Sequence, residues 1–212
     1  MKVKSFTFNP FQENTYILYN EVKQAFIIDA GMYFPEEFDQ FFQFIEMNQL
    51  EPTMLLNTHT HLDHVFGNAA VLNRFKIPFA YHELDRPVFD SANSVGKMYG
   101  LSFEPSPAAT FYLNENEILQ LGQDEFKLML TPGHSPGSVC FYSKKSNLVI
   151  SGDVLFQQSI GRTDLPGGNY ESLITSIRRE LFVLPDETIV YSGHGPATTI
   201  GSEKRNNPFL RD

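Results

Sequence analysis

The sequence has no tryptophan, a single cysteine and no long apolar run. Cys140 alone cannot close an internal disulfide, so nothing in the chain depends on an oxidising compartment; within the apolar run Ser138 to Tyr142 its expected role is core packing. No stretch approaches the roughly 18 apolar residues of a membrane span. The start, Met1-Lys2-Val3-Lys4-Ser5, passes straight into an alternating pattern and carries no apolar secretory segment ahead of a small-residue cleavage site. The expected location is therefore cytoplasmic, unless a leader has been removed. Positive charge is also scarce: 16 Lys and Arg stand against 25 Asp and Glu, a net charge of −9, and no basic cluster is present. Without such a cluster there is little to exchange for phosphate counterions, which argues against a nucleic-acid partner. No Gly/Pro/Ser-rich linker interrupts the chain. Its 212 residues read as one domain, 1–212, large enough to bury a sizeable core; nothing in the sequence sets an oligomeric state.

Against those absences, phenylalanine is abundant, with 20 in the chain, and core volume is its simplest use. The first thirty residues alternate as an antiparallel meander, broken by turn signals at Asn9-Pro10 and Asn20-Glu21 and ended by Asp29-Ala30-Gly31. Pro35, Glu36 and Glu37 open a helix, Phe34 to Met47, whose Phe38, Phe41, Phe42 and Ile45 share one face. A strand over 53–57 precedes a helical pattern at Val65, Ala69, Leu72 and Phe75. Another short strand, 77–81, leads to His82, which reads as a cap or surface residue. Residues Glu83 to Pro107 read as an irregular mobile flap with helical pieces that overhangs a site. Strands return at 118–121, 126–130, 138–142 and 148–150, and the final helix runs from Asn169 to Leu184, stopped by Pro185. Strands then helix, repeated, is the pattern of an α/β four-layer αββα sandwich.

The chemistry concentrates in Asn57-Thr58-His59-Thr60-His61-Leu62-Asp63-His64. Three imidazoles and a carboxylate in six positions form the ligand set that borderline divalent metals prefer. In the strand-like part, residues two apart point the same way, so His59 and His61 can close on one ion; where the chain turns helical, Asp63 and His64 diverge toward a neighbouring position. Three further signals lie at strand ends: His134 at the apex of Thr131-Pro132-Gly133-His134-Ser135-Pro136-Gly137, Asp153 after a buried strand, and His194 in Tyr191-Ser192-Gly193-His194-Gly195-Pro196. Strand ends on one edge of a layered sheet are where sites assemble.

These residues resemble the metallo-β-lactamase superfamily over nearly the whole chain. The run at 59–64, then His134, Asp153 and His194 in order, match its motifs, and Asp29-Ala30-Gly31 matches its opening one. The resemblance implies that His59, His61 and His134 bind one metal, that Asp63, His64 and His194 bind a second, and that Asp153 bridges both. The two divalent ions would be zinc, with iron or manganese as alternatives. The flanks Thr131 to Gly137, Gly152-Asp153-Val154-Leu155-Phe156 and Gly161-Arg162-Thr163-Asp164-Leu165-Pro166-Gly167-Gly168 look like the glyoxalase II (hydroxyacylglutathione hydrolase) group, in particular its short single-domain members. True β-lactamases of the superfamily are exported and usually carry Arg in place of His64, and ribonuclease Z relatives need a basic surface that is absent here. The larger glyoxalase II enzymes add a helical extension with basic glutathione-binding residues. Here eighteen residues follow His194, Lys204 and Arg205 among them, which leaves glutathione open as the thiol, with another thioester or a small ester as alternative substrates.

The resemblance implies hydrolysis of a thioester of the S-lactoylglutathione type. Two metals acidify a bridging water and polarise the carbonyl, Asp63 orients the resulting hydroxide, and a thiolate leaves without a general acid. Arg162 has two readings: a surface pair with Asp164, or a bidentate fork for the substrate's carboxylate. The rival within the same fold is a persulfide dioxygenase with one iron on His59, His134 and Asp153, a two-histidine, one-carboxylate triad. A non-catalytic scaffold would be expected to have lost a ligand, and none is missing.

Overall fold

The computed structural model describes residues 1–211. Six strands form the first sheet in chain order: β1 (Lys2–Phe8), β2 (Glu13–Tyr19), β3 (Gln24–Ile28), β4 (Glu51–Leu56), β5 (Phe79–His82) and β6 (Phe111–Leu113). β1 to β3 are the antiparallel meander, and β3 to β6 run parallel. The second sheet holds β7 (Ile118–Leu121), β8 (Asp124–Leu130), β9 (Val139–Ser143) and β10 (Leu148–Gly152). After a small ribbon, β11 (Leu155–Phe156) with β12 (Ser159–Ile160), it is completed by β13 (Ile189–Ser192) and β14 (Thr198–Thr199), in the order β14-β13-β10-β9-β8-β7. The parallel links β3/β4, β4/β5 and β10/β13 carry their carboxyl ends to one edge. That edge is where the metal-type residues emerge.

Period-two alternation builds the layers. On the first sheet, Tyr16, Leu18, Phe26 and Ile28 face inward against Phe126, Leu128, Val139, Phe141, Leu148 and Ile150 of the second. The opposite sides of the same strands, Ile17, Ala25 and Ile27, pack under α1 (Pro35–Met47) with Phe41 and Ile45. On the far face Met129, Cys140, Val149 and Val190 pack under α5 (Tyr170–Ser176) and the π turn Ile177–Leu181 through Leu173, Ile177 and Leu181. The expected αββα sandwich is what forms, and Cys140 is buried core.

Three local expectations need correction. The helical pattern after the histidine run is two helices, α2 (Leu62–Val65) and α3 (Asn68–Phe75), because the chain breaks at Phe66-Gly67; a Cβ on Gly67 would crowd Met32 and the Ala30 carbonyl. The stretch 83–107 does line the site, but it is more regular than expected: besides the irregular part after Gly100 it contains α4 (Arg86–Met98), a regular 13-residue helix that starts with Pro87 in its first turn. Ser91, Asn93, Ser94 and Gly96 are poor helix formers, but Phe89 stacks on Tyr81 with ring centroids 4.7 Å apart and Ala92 is buried, so packing overrides propensity. The helix from Asn169 is capped as expected, Asn169 Oδ1 accepting from Ser172 N at 2.9 Å, but it loosens into the π turn and is not the last, since α6 (Ile200–Asn206) follows. His82 does cap, accepting from Leu84 N. No helix among the described residues is long and apolar enough to cross a membrane.

Candidate metal centre

Every residue singled out from the histidine, aspartate and glycine motifs arrives at the common edge. His59 to His64 follow β4, His134 follows β8, Asp153 follows β10 and His194 follows β13. The inward nitrogens of three imidazoles converge: His134 Nε2 lies 2.9 Å from His61 Nδ1 and 3.1 Å from His59 Nε2. Beside them, His194 Nε2 lies 3.2 Å from Asp63 Oδ2, and His64 Nε2 lies 3.7 Å from the same oxygen. Asp153 sits between the groups, with carboxylate oxygens 3.5 Å from nitrogens of His64, His134 and His194. Gly193 makes this approach feasible, since a Cβ there would collide with Asp153 Oδ1.

The outward nitrogens of His59, His134 and His194 are hydrogen-bonded, which sets the orientation of those three rings. His134 Nδ1–H donates to the Arg162 carbonyl at 2.8 Å, and His194 Nδ1–H to the Phe11 and Gln12 carbonyls at 3.0 and 3.2 Å. Thr58 Oγ1 donates to Asp29 Oδ2 at 2.6 Å, so its oxygen is left to accept from His59 Nδ1–H at 3.2 Å. His64 Nδ1 faces Asp29 Oδ2 at 3.1 Å and Glu13 Oε1 at 3.8 Å. In consequence Nε2 of His59, His64, His134 and His194 is left as an inward lone pair or proton.

Charge divides the centre. Burial pushes His59 well below the usual imidazole range, with His64 and His134 adding to the effect. Burial and His134 push His61 down to about 4. Burial also opposes charge on His64 and His194, but Asp63, Asp153 and Asp29 outweigh it for His64, which is raised, and Asp153 and Asp63 carry His194 up to about 10. Asp63 and Asp153 are held low despite burial, by His64 and His194. Buried Glu13 is raised by desolvation.

His64 Nδ1, His64 Nε2, Asp153 Oδ1 and Glu13 Oε1 are buried without hydrogen-bond partners. Orphaned buried polar atoms are costly, and imidazole nitrogens about 3 Å apart with carboxylates adjacent fit cations in their midst. The donor atoms fall into the groups His59/His61/His134, Asp63/His64/His194 and His59/His64/Asp153. A further group, Glu13/Asp29/His64, lies behind them.

A cleft of about 420 Å³ opens onto His61, Asp63, His134, Asp153 and His194. One wall is a helical stripe on α4, Val88, Ser91, Ala92 and Val95, continued by Tyr99 just past its end; Phe11, Leu62, Phe156 and Leu165 line much of the rest. Arg162 lines this cleft, yet its Nε and Nη2 each lie 2.7 Å from an oxygen of Asp164. Both readings of Arg162 thus meet at one place, and a substrate anion must compete with Asp164.

The metallo-beta-lactamase superfamily description matches residues 8–194. The chain belongs to this superfamily. It is 41% identical over 212 residues to YqgX of Bacillus subtilis, a probable metallo-hydrolase, covering 99% of this chain and 98% of that one. Hydroxyacylglutathione hydrolase GloC of Haemophilus influenzae is 39% identical over 215 residues, at 99% and 98% coverage. Among solved structures, BLEG-1, named a B3 metallo-beta-lactamase, has a TM-score of 0.92 at 40% identity with both chains fully covered. TTHA1623 in a di-iron-bound form gives 0.88 at 38%, over 98% of this chain and 100% of that one. ETHE1 from Myxococcus xanthus gives 0.80 at 28%, over 98% and 84%. Members of the superfamily bind metal ions, and the clusters above are the fitting place in this chain.

Sequence reasoning missed several contributors. Glu13 sits in a strand next to turn-forming residues and gave no signal. Asn57 orders the histidine run by donating to the His64 carbonyl at 2.8 Å, and Asn9 donates to the Asp63 carbonyl at 3.0 Å. The α4 stripe was legible as spacing (88, 92, 95, 99) but was obscured by its polar neighbours.

Proposed function

We propose that this chain is a dinuclear metal-dependent hydrolase of thioesters, chemically of the hydroxyacylglutathione hydrolase type. The observation that carries this reading is the division of six side chains around Asp153 into two groups of three. His59, His61 and His134 would hold one ion, Asp63, His64 and His194 the other, with Asp153 shared; zinc is the first expectation, iron or manganese the alternatives. Bound there, two ions acidify water and polarise a carbonyl.

The chain's own residues supply the rest. Asp63, on the cleft side of the second group, orients the attacking water through its free oxygen. The α4 stripe with Phe11 and Leu62 excludes bulk water and receives an apolar part of the acyl group. Arg162 at the rim meets a substrate carboxylate when Asp164 yields it. A thiolate leaves as a stable anion, so no proton donor is needed at the leaving sulfur.

The second reading is a mononuclear-iron persulfide dioxygenase on His59, His134 and Asp153; the likeness to ETHE1 favours keeping it. Metal analysis after purification without chelator, paired with assays of an acyl-thioester series, a persulfide and a β-lactam, tests the proposal. Two ions per chain with thioester hydrolysis support it. One iron with persulfide-dependent oxygen uptake replaces it with the dioxygenase, and β-lactam turnover without thioester turnover removes the thioester assignment.

A further inference from the structure

Asp85 lies outside every motif described above, yet it is fully buried, at the junction between β5 and α4. Among the described residues no cation forms an ion pair with it; donors surround it instead. Its Oδ2 accepts from Thr60 N at 2.6 Å and from Thr60 Oγ1 at 2.9 Å. Its Oδ1 accepts from Gly137 N at 2.8 Å and from the Ser135 hydroxyl. All four are N–H or O–H donors, so only an acceptor on both oxygens, the carboxylate, satisfies them. Charge-assisted bonds of this kind are the strong ones.

The identity of the donors is what matters. Thr60 stands between His59 and His61, and Ser135 is the neighbour of His134. One carboxylate therefore fastens the two loops, 73 to 75 residues apart in sequence, whose imidazole nitrogens must meet within about 3 Å. The fit is tight on the backbone side as well: a Cβ on Gly137 would meet Asp85 N at 2.6 Å and Asp85 Cβ at 2.7 Å. Among the described residues, Asp85 accepts hydrogen bonds from Thr60, Ser135 and Gly137 and from none of Asp63, His64 or His194, so the clamp serves one group of three.

We propose that Asp85 is a positioning residue that sets the spacing of His59, His61 and His134, and with it the metal affinity of that half alone. The inference rests on the ligand assignment above and is independent of which substrate is hydrolysed. It predicts that Asp85→Asn, which turns an amide NH2 toward donors, weakens metal binding in the three-histidine half by about 10- to 100-fold, the scale for a lost outer partner of ligating histidines, and leaves the Asp63/His64/His194 half unchanged. Cobalt titration of the purified full chain, followed by absorbance and competed with a chelator, resolves the two affinities. Ser135→Ala and Thr60→Val, which each remove one hydroxyl donor, should give smaller losses in the same half and provide the test if Asp85→Asn does not fold. Asp85→Glu should rescue in part. A purely structural role would lower the unfolding temperature of the metal-free variants and leave both affinities as in the wild type; that result, or equal losses in both halves, overturns the proposal. A wild-type chain that takes up no cobalt would overturn the ligand assignment itself, and the wild-type titration alone reveals that failure.

Discussion

The two halves of the centre are built from similar side chains under opposite electrostatics. In the three-histidine half, burial holds His59 and His61 neutral, so lone pairs stand ready for a cation at neutral pH. In the other half, carboxylates raise His64 and His194, so protons occupy the region that a second cation would fill. Both halves are held by hydrogen bonds, but carboxylates dominate the electrostatics of the second. The difference teaches that the halves should fill differently: His59 and His61 take up an ion without releasing protons, whereas His64 and His194 exchange theirs for metal.

The sharpest break of this comparison is Asp63→Ala. Turnover should fall by at least about 10², the scale of a lost positioned group, while the three-histidine half keeps its ion. Wild-type turnover in a variant shown to hold both ions would take the orienting role from Asp63. Next comes the charge behind His64. Asp29→Asn should weaken binding in the second half by about 10- to 100-fold, whereas Glu13→Gln should change it little, because a desolvated, raised Glu13 already resembles a neutral amide; metal titrations of the two variants separate these outcomes.

A pH series sharpens the contrast further. His194 has a folded value raised to about 10, so its protonated pairing stabilises the metal-free chain fully below about 6.5, the unfolded value, and is lost as pH climbs through 10. With an ion in place of that proton the loss disappears. The gap in unfolding temperature between zinc-loaded and chelated protein should therefore widen from pH 7 to 10, each kcal/mol appearing as about 2–4 °C at this size; a gap that narrows contradicts the proton-for-metal exchange. The smallest effect is expected at the rim: because Asp164 already occupies its fork, Arg162→Ala should raise KM for a carboxylate-bearing thioester by no more than about fivefold and leave its neutral amide unchanged. Steady-state kinetics on that matched pair decide it.

The residues of the site were legible because six histidines are few and five of them cluster at strand ends, where a composition of apolar runs makes them conspicuous. The layers were legible for the same reason, since alternation at Tyr16, Ile17, Leu18 and at Phe26, Ile27, Ile28 is local information. What escaped was set by distant contacts. α4 forms on a polar sequence because Phe89 meets Tyr81 and Ala92 meets the core. Asp85 is 25 residues from Thr60 and 50 from Ser135, and no window of sequence shows that pairing. The break at Phe66-Gly67 follows from Met32 and Ala30, more than thirty positions earlier.

The tether from His134 Nδ1 to the Arg162 carbonyl, and its counterpart from His194 to the Phe11 and Gln12 carbonyls, have a bearing on ancestry. Both loops present a side chain to the cleft while steadying a histidine through the main chain alone. Mutation can rewrite residues 11 and 162, and so the taste of the cleft, without disturbing the rings behind them. Such a division lets descendants of one scaffold drift toward new substrates while inheriting the metal chemistry intact.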